Sequence, residues 1–149
     1  MIIHKEEIKL SPWVTLVTKT ISQPWYASNQ TYHSIRQADY VSVLAMTSDG
    51  RIPLVKQYRP ALNKITLELP GGLLEKGEQP ELTATRELME ETGFKVTRKL
   101  DFLGCLAPDT GRLENRMWCY FAREGLQKSF LRIRHSMKSL AYELFIGEN

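Results

Sequence analysis

Three glutamates lie close together in the middle of the chain: Glu87, Glu90 and Glu91. In an α-helix, residues three and four positions apart lie on one face, so these carboxylates would be neighbours. Each like-charge pair at this spacing costs about 0.2–0.5 kcal/mol. Between residues 80 and 92, Arg86 is the one counter-charge placed four residues from any of them. A divalent cation such as Mg²⁺ prefers carboxylate oxygens and would offset the repulsion. A solvated acidic face is the alternative, and the surrounding sequence decides between the two.

The segment that carries these glutamates has the start and stop signals of a helix over residues 80–92. Pro80 suits a first helical position, and Glu81 favours the positive N-terminal end. Gly93 follows as a C-terminal stop. A helical wheel places the glutamates on the face opposite a core face. The core face is predicted to consist of Leu82, Thr85, Leu88 and Met89.

Most of the remaining chain is predicted to form β-strands, from alternating or continuous apolar residues. These segments are residues 13–21, 31–35, 40–46, 52–58, 65–69, 96–106 and 117–122. A turn at residues 48–50 is expected to make strands 40–46 and 52–58 partners in a hairpin. Apolar residues at helical spacing after Ser129, from Phe130 to Leu144, predict a second helix that covers the sheet. The class is therefore α/β or α+β with a mixed sheet.

Composition narrows the function classes. The length of 149 residues, without repeats or a linker, suits a single domain over residues 1–149. A formal charge of +3 without a dense Lys/Arg run suits an anionic small molecule and argues against a nucleic-acid partner. The chain shows no secretory signal and no apolar run of about 20 residues, so no membrane partner is expected. Cys105 and Cys119 lack metal-ligand spacing and lie in apolar stretches, which predicts free thiols buried in the core and a cytoplasmic location.

The residues around the glutamates follow a longer pattern. Residues 72–94 read GLLEKGEQPELTATRELMEETGF and fit G-x5-E-x7-R-E-U-x-E-E-x-G-U at every fixed position, where U is an aliphatic or bulky apolar residue. This segment resembles the Nudix box without a deviation. Nine specified positions at set spacing are far more specific than a short glycine motif. The resemblance implies a Nudix fold of the α/β class, an α/β/α sandwich with a mixed sheet.

The resemblance also implies roles for individual residues. The box glutamates would bind a divalent ion, Mg²⁺ with Mn²⁺ as a substitute. The expected metal ligands are the backbone carbonyl of Gly71 and the carboxylates of Glu87, Glu90 and Glu91. Arg86 would orient these carboxylates and complete the catalytic set, and Glu78 would hold the loop.

The expected chemistry is the hydrolysis of a pyrophosphate bond. Metal ions neutralise the phosphate oxygens and make a water acidic enough to attack one phosphorus in line. No Ser/His/Asp arrangement suggests a covalent nucleophile. The three histidines, His4, His33 and His135, are dispersed and are interpreted as surface or packing residues.

Two segments outside the box resemble the ADP-ribose and ADP-sugar pyrophosphatase branch of this superfamily. They are QYRP at residues 57–60 and ELPG at residues 68–71, which leads into the box. Arg59 matches a position that contacts substrate phosphates in that branch, and a guanidinium fork suits a diphosphate. The alternative for Arg59 is a solvated arginine at a strand end.

The N-terminal segment resembles the strands that build the adenine site of that branch across a dimer interface. Trp13 and Tyr32 are therefore candidates for stacking on the base, and Arg36 is assigned to substrate binding with them. Packing aromatics are an equally open interpretation of Trp13 and Tyr32. Residues 1–38 are expected to form a dimerisation arm, with strands swapped between the subunits of a homodimer. Residues 107–115 resemble a loop that borders the substrate site.

The resemblance weakens after Ala122, where Glu124 is the one acid in a short segment that could supply a general base. The leading hypothesis is Mg²⁺-dependent hydrolysis of ADP-ribose or a related ADP-sugar to AMP and a sugar phosphate. One alternative is hydrolysis of dinucleotide polyphosphates or nucleoside triphosphates. Another is a non-catalytic module that senses nucleotides, against which the complete set of box carboxylates argues.

Overall fold

A computed structural model describes residues 1–123, 125–128 and 139–145, the last range as backbone only. The described chain divides into two compact units. The first comprises Met1–Asp39 and Leu106–Met117, and the second comprises Tyr40–Cys105 and the described residues from Trp118 onward. The first unit thus contains the expected arm, residues 1–38, together with a later segment. A single domain over residues 1–149 stays a prediction.

The first unit is an antiparallel sheet of β1 (Ile2–Lys9), β2 (Thr15–Ile21) and β3 (Gln30–Arg36), in that order. The later segment joins it through backbone bonds, such as the 2.7 Å bond from the Ile35 N–H to the Arg112 carbonyl. The sequence does not predict β1, because its polar centre hides the alternation of a strand. Its conformation depends on pairing with β2.

The second unit contains one α-helix and nine strands within the part of the chain that the structure describes. In chain order they are β4 (Tyr40–Ala45), β5 (Arg51–Arg59), β6 (Lys64–Glu68), β7 (Gly71–Leu73), α1 (Pro80–Thr92), β8 (Phe94–Val96), β9 (Asp101–Leu106), β10 (Met117–Ala122), β11 (Leu126–Lys128) and β12 (Ser139–Phe145). One sheet has the order β7-β4-β10-β9, a second has β12-β5-β6, and β11 pairs with β8. The predicted α/β class with a mixed sheet is confirmed.

Helix α1 packs its small and apolar face onto the core of the second unit. Ala84 and Leu88 are fully buried in a cluster with residues of β4 and β10. Burying a leucine of this kind contributes about 1.5–3 kcal/mol. The prediction that Leu82 belongs to the core face is wrong, because its side chain is 62% exposed. Thr83 and Thr92 are buried instead, so the helix is rotated about its axis relative to the predicted orientation.

The predicted hairpin between residues 40–46 and 52–58 is wrong in its pairing. The Thr47 N–H does donate to the Arg51 carbonyl over 2.9 Å, which closes a turn. However, β5 pairs with β6 on one edge and β12 on the other, whereas β4 pairs with β7 and β10. Both edges of β5 are therefore occupied, and the turn connects two sheets.

The predicted terminal helix is wrong over Ser139–Phe145, which forms β12. Leu140 and Leu144 pair with Lys56 and Ile52 of β5 in an antiparallel register. A short apolar run fits both the helical and the strand period, and pairing with the edge of β5 that β6 does not occupy favours the strand. Residues 129–138 and Glu124 lie outside the described residues. The predicted strand 96–106 also divides, because β8 pairs with β11 whereas β9 joins a different sheet.

Two predictions from composition can be compared with this fold. Cys105 and Cys119 are free thiols, as expected, but both are partly exposed, so the prediction that they are buried in the core is wrong. No helix in the described part of the chain is both long enough and apolar enough to span a membrane.

Candidate active site

Helix α1 begins and ends where its sequence predicts. Pro80 occupies the first turn, and Glu81 lies in that turn next to the unpaired N–H groups. Gly93 ends the helix with φ of 75°, a left-handed conformation that glycine adopts without strain, and its N–H donates to the Met89 carbonyl over 2.9 Å. These ends fix which residues of the helix face strand β7.

Glu87 lies against the first glycine of the box. A β-carbon built on Gly72 would be 2.3 Å from both Cδ and Oε1 of Glu87, so only glycine leaves room for this carboxylate. The neighbouring Gly71 is needed for a different reason, because a β-carbon there would be 2.1 Å from the Val41 carbonyl oxygen of β4. The two glycines therefore let β7 approach β4 on one side and Glu87 on the other.

Glu91 is the second half-buried carboxylate of the helix. Its Oε2 accepts a 3.0 Å hydrogen bond from the Gly71 N–H. Burial raises the pKa of Glu91 to about 7, and the charges of Glu87 and Glu68 add to the effect, while the Gly71 N–H and Arg59 oppose it. Burial likewise raises the pKa of Glu87, against the opposing effect of Arg86.

Arg86 contacts three of the box glutamates. Its Nε and Nη2 each donate to Glu78 over 3.1 Å, and this pair lowers the pKa of Glu78 to about 2. Its Nη1 donates to Glu87 over 2.8 Å and to Glu90 over 3.4 Å. Glu78 also accepts a 3.4 Å bond from the Glu75 N–H of the box loop. These contacts agree with the expected roles of Arg86 and Glu78, which stay predictions.

A cleft of about 580 Å³ lies beside these residues within the second unit. Gly71, Gly72 and Glu91 line it together with Arg59 and Glu68. Arg59, the predicted phosphate contact, forms two parallel bonds to the Glu68 carboxylate, of 2.8 Å from Nε and 2.5 Å from Nη2. The structure thus places one arginine and the half-buried Glu91 along the same cleft.

The donor types in this region fit a hard divalent cation. Glu87, with 15% of its side chain exposed, and Glu91 are partly buried on adjacent turns of α1, and a nearby cation would favour their charged forms. Glu90 is more exposed, at 54% of its side chain, and contacts Arg86. No group of three or more His, Cys, Asp or Glu side chains among the described residues converges closely enough to hold a metal. The assignment of Gly71, Glu87, Glu90 and Glu91 as ligands stays a prediction.

The wheel placed all three glutamates opposite the core, and this is wrong for two of them. Glu87 and Glu91 are partly buried and face β7, because the helix is rotated as described above. Only Glu90 is exposed to the extent that the wheel predicts.

The other predicted substrate contacts belong to the first unit. Trp13 is 72% exposed in a turn where Ser11 Oγ accepts bonds from the Trp13 and Val14 N–H groups. Tyr32 is 46% exposed on β3, and its hydroxyl lies 3.4 Å from that of Tyr26. Both rings are accessible for stacking, which stays a prediction.

Arg36 is held within the first unit by two carboxylates. Its Nη1 donates to Glu7 over 2.8 Å and its Nε donates to Glu114 over 2.9 Å. Glu114 also accepts bonds from Lys19 and Ser34. A role of Arg36 in substrate binding stays a prediction, and its observed contacts are those of a residue that ties the strands to the segment 106–117.

The sequence interpretation gives no role to Glu68 or Glu114, although both are held by several partners. For Glu68 a signal exists in the strand alternation. Gln57 of β5 pairs with Thr66 of β6. Arg59 lies two residues after Gln57 on β5, and Glu68 lies two residues after Thr66 on β6. Side chains two residues apart share one face of a sheet, so the four polar residues can meet once the register is known.

Comparison with known proteins shows the family of the chain. The model of the NUDIX domain matches residues 36–136. The chain is 34% identical over 122 residues to an ADP-ribose pyrophosphatase of Bacillus subtilis (strain 168), covering 82% of this chain and 65% of that protein. It is 40% identical over 94 residues to a methanol dehydrogenase activator of Bacillus methanolicus, covering 63% of this chain and 50% of that protein. The chain thus spans between half and two thirds of the length of these relatives.

A solved structure shows the same fold. The crystal structure of an ADP compounds hydrolase superposes with a TM-score of 0.80 at 21% identity, covering 96% of this chain and 76% of that chain. The family model covers more than half of the residues and includes the whole box. The chain therefore belongs to the Nudix family.

Proposed function

We propose that this protein hydrolyses the pyrophosphate bond of a nucleoside diphosphate derivative, with ADP-ribose or a related ADP-sugar as the substrate. The products would be AMP and a sugar phosphate. The observation that carries the proposal is the cleft in which Arg59 and the half-buried Glu91 lie beside the glycines of β7. A binding site for an anion would not ordinarily contain crowded acids, whereas a metal-assisted pyrophosphatase requires them.

The box residues would bind a divalent cation, which is Mg²⁺ or, as a substitute, Mn²⁺. Its ligands would be the Gly71 carbonyl and the carboxylates of Glu87, Glu90 and Glu91. When bound, such an ion neutralises phosphate oxygens and makes water more acidic. Arg86 would keep Glu87 and Glu90 in place through its Nη1 contacts.

The diphosphate would be bound by Arg59. A guanidinium presents several donors in one plane, which matches the oxygens of a phosphate. Because charge on the phosphate oxygens increases as the bond breaks, a cation at this position contributes more to the transition state than to the ground state. We therefore expect Arg59 to affect kcat as well as KM.

The choice of an ADP-sugar rests on two observations. The QYRP and ELPG segments resemble the ADP-ribose and ADP-sugar pyrophosphatase branch. A relative that covers 82% of this chain carries the name ADP-ribose pyrophosphatase. Dinucleotide polyphosphates and nucleoside triphosphates are the competing substrates. A regulatory role is the second candidate function, because one relative carries the name methanol dehydrogenase activator. In such a role nucleotide binding would matter more than turnover.

We also propose a homodimer formed through the first unit. Its three strands and their turns expose many large apolar side chains, a feature typical of protein interfaces. They are Ile2, Ile3, Ile8, Leu10, Trp13, Trp25, Tyr26 and Tyr32. A stable interface should bury more than about 1,000 Å². Sedimentation at the enzyme concentration used in assays should give a dimer, and a monomer would contradict this proposal.

A substrate panel tests the proposed activity. ADP-ribose, another ADP-sugar, a dinucleoside polyphosphate and a nucleoside triphosphate are incubated with Mg²⁺, with Mn²⁺ and with EDTA, and products are separated by chromatography. We expect AMP from ADP-ribose with either metal and none with EDTA. A tenfold or greater preference in kcat/KM for another substrate class would overturn the ADP-sugar assignment. Tight nucleotide binding without any turnover would support the regulatory candidate.

A further inference from the structure

Glu68 accepts more hydrogen bonds than Glu87, Glu90 or Glu91, the three predicted carboxylate ligands. Its Oε1 accepts bonds from Arg59 Nε over 2.8 Å and from the Thr66 hydroxyl over 2.5 Å. Its Oε2 accepts bonds from Arg59 Nη2 over 2.5 Å and from Gln57 Nε2 over 3.2 Å. An ionised carboxylate has about four lone-pair sites, so all of them are in use.

This saturation separates Glu68 from the predicted metal ligands that share its cleft. Among the described residues Glu91 has one hydrogen bond, from the Gly71 N–H, and its other oxygen could bind a cation. Glu68 could do so only by giving up an existing bond. Its pKa is lowered to about 2, chiefly by Arg59, so it stays ionised and does not take up a proton near neutral pH. A role as ligand or general base is therefore poorly suited to Glu68.

The two bonds from Arg59 fix the plane of its guanidinium. Glu68 takes the edge formed by Nε and Nη2, and among the described residues no hydrogen bond involves Nη1 of Arg59. The remaining edge is thus available to a ligand. Thr66 and Gln57, on the paired strands β6 and β5, hold Glu68 and so restrict the arginine indirectly.

We propose that Glu68 is a positioning residue, which orients Arg59 so that its free guanidinium edge binds the diphosphate of the substrate. This inference rests on the proposed function in one respect only, that the ligand of the cleft is a diphosphate. A preorganised donor loses less conformational freedom on binding, so the orientation strengthens the contact. The negative charge of Glu68 acts in the opposite direction, since it repels the same diphosphate.

The two effects predict opposite changes in the affinity of Glu68→Gln for a diphosphate, so the direction of the change distinguishes them. If Glu68 matters only as a charge, its removal strengthens binding of an anion. If Glu68 positions Arg59, the loss of the paired bonds weakens binding, and we expect a factor of about ten for one misaligned charge-assisted contact. The second effect must also disappear when Arg59 is absent.

The experiment measures binding of α,β-methylene-ADP with saturating Mg²⁺ by calorimetry, since this diphosphate cannot be hydrolysed at its P–C–P link. The proteins are wild type, Glu68→Gln, Arg59→Ala and the double variant. Asp49→Asn is the matched control, because Asp49 forms an ion pair of 2.9 Å with Arg51 at the other end of β5. Thr66→Val, which removes one bond to Glu68 and keeps the side-chain shape, should weaken binding by a smaller factor and serves if Glu68→Gln does not fold.

Weaker binding in Glu68→Gln, with no further weakening when Arg59→Ala is already present, supports the proposal, provided that Asp49→Asn binds as wild type does. Unchanged or tighter binding overturns it, as does a loss that persists without Arg59. Failure of the wild type to bind the analogue overturns it too. Coupled binding without turnover of ADP-ribose would refute the proposed activity and leave the role of Glu68 standing.

Discussion

The carboxylate of Glu87 lies directly against Gly72, at the place where any other residue would carry its side chain. The first glycine of the box is thus a requirement of space, and its φ is not in the left-handed region. The close approach joins the helix that carries the acids to the strand that carries the expected carbonyl ligand. It explains why a glycine fifteen residues before Glu87 belongs to the same motif.

Gly72→Ala should reduce activity more than stability. The new methyl group would meet the end of the Glu87 side chain, which can move, so the fold should persist while the carboxylate is displaced. Gly71→Ala is the informative comparison, because its methyl group would meet the backbone of Val41 and should lower the melting temperature. Thermal unfolding and calorimetric Mn²⁺ binding would be measured for both. Normal metal binding in a folded Gly72→Ala protein would contradict the role given to Glu87.

Glu90→Gln and Glu91→Gln should each abolish most turnover and leave the fold intact. For Glu91 the neutral amide removes the cost of burying a charge, and its oxygen can still accept the Gly71 N–H. For Glu90 the side chain is exposed and its contact with Arg86 is long, so little stability is lost. We expect a lower kcat with an unchanged or higher melting temperature. Near-wild-type turnover in both variants would refute the metal assignment.

Glu114 should make the stability of the protein depend on pH in the acid range. Lys19 first, then Ser34 and Arg36, lower its pKa to about 2 from an ordinary value of 4.5. A lowered folded-state pKa stabilises the fold above the unfolded pKa, and this contribution is lost as the pH falls from about 4.5 through about 2. Urea denaturation should therefore show Glu114→Gln less stable than wild type at pH 7, with the difference shrinking across that window. A constant difference down to the lowest pH would show that ionisation of Glu114 is not responsible.

The sequence predicts the bounds of α1 well, because the signals are local. Pro80 and Gly93 mark the ends of the helix through the backbone alone, and the box pattern lies within one continuous segment. The orientation of the helix is not local. A wheel gives angles between residues but not the direction of the sheet, and for this reason Leu82 is exposed where the wheel buries it.

The remaining errors arise from pairing between distant strands. Residues 139–145 are apolar at intervals that fit a helix, and only their pairing with β5 makes them a strand. The role proposed for Glu68 depends in the same way on the register that sets Gln57 opposite Thr66. Such a register follows from the whole sheet and is not encoded in either strand separately.

The last prediction concerns the base of the substrate. If Trp13 stacks on adenine, Trp13→Ala should weaken the use of ADP-ribose by about 1–3 kcal/mol, mostly in KM. Trp25 is the matched control, because it lies in the same unit and is equally exposed, at 72%, yet has no predicted contact with substrate. Since both tryptophans belong to the proposed interface, the two variants are compared after sedimentation has shown the same oligomeric state as wild type. Steady-state kinetics with ADP-ribose should therefore show a raised KM for Trp13→Ala and wild-type values for Trp25→Ala. Equal changes in the two variants would indicate a general effect of surface tryptophans and would remove Trp13 from the adenine site.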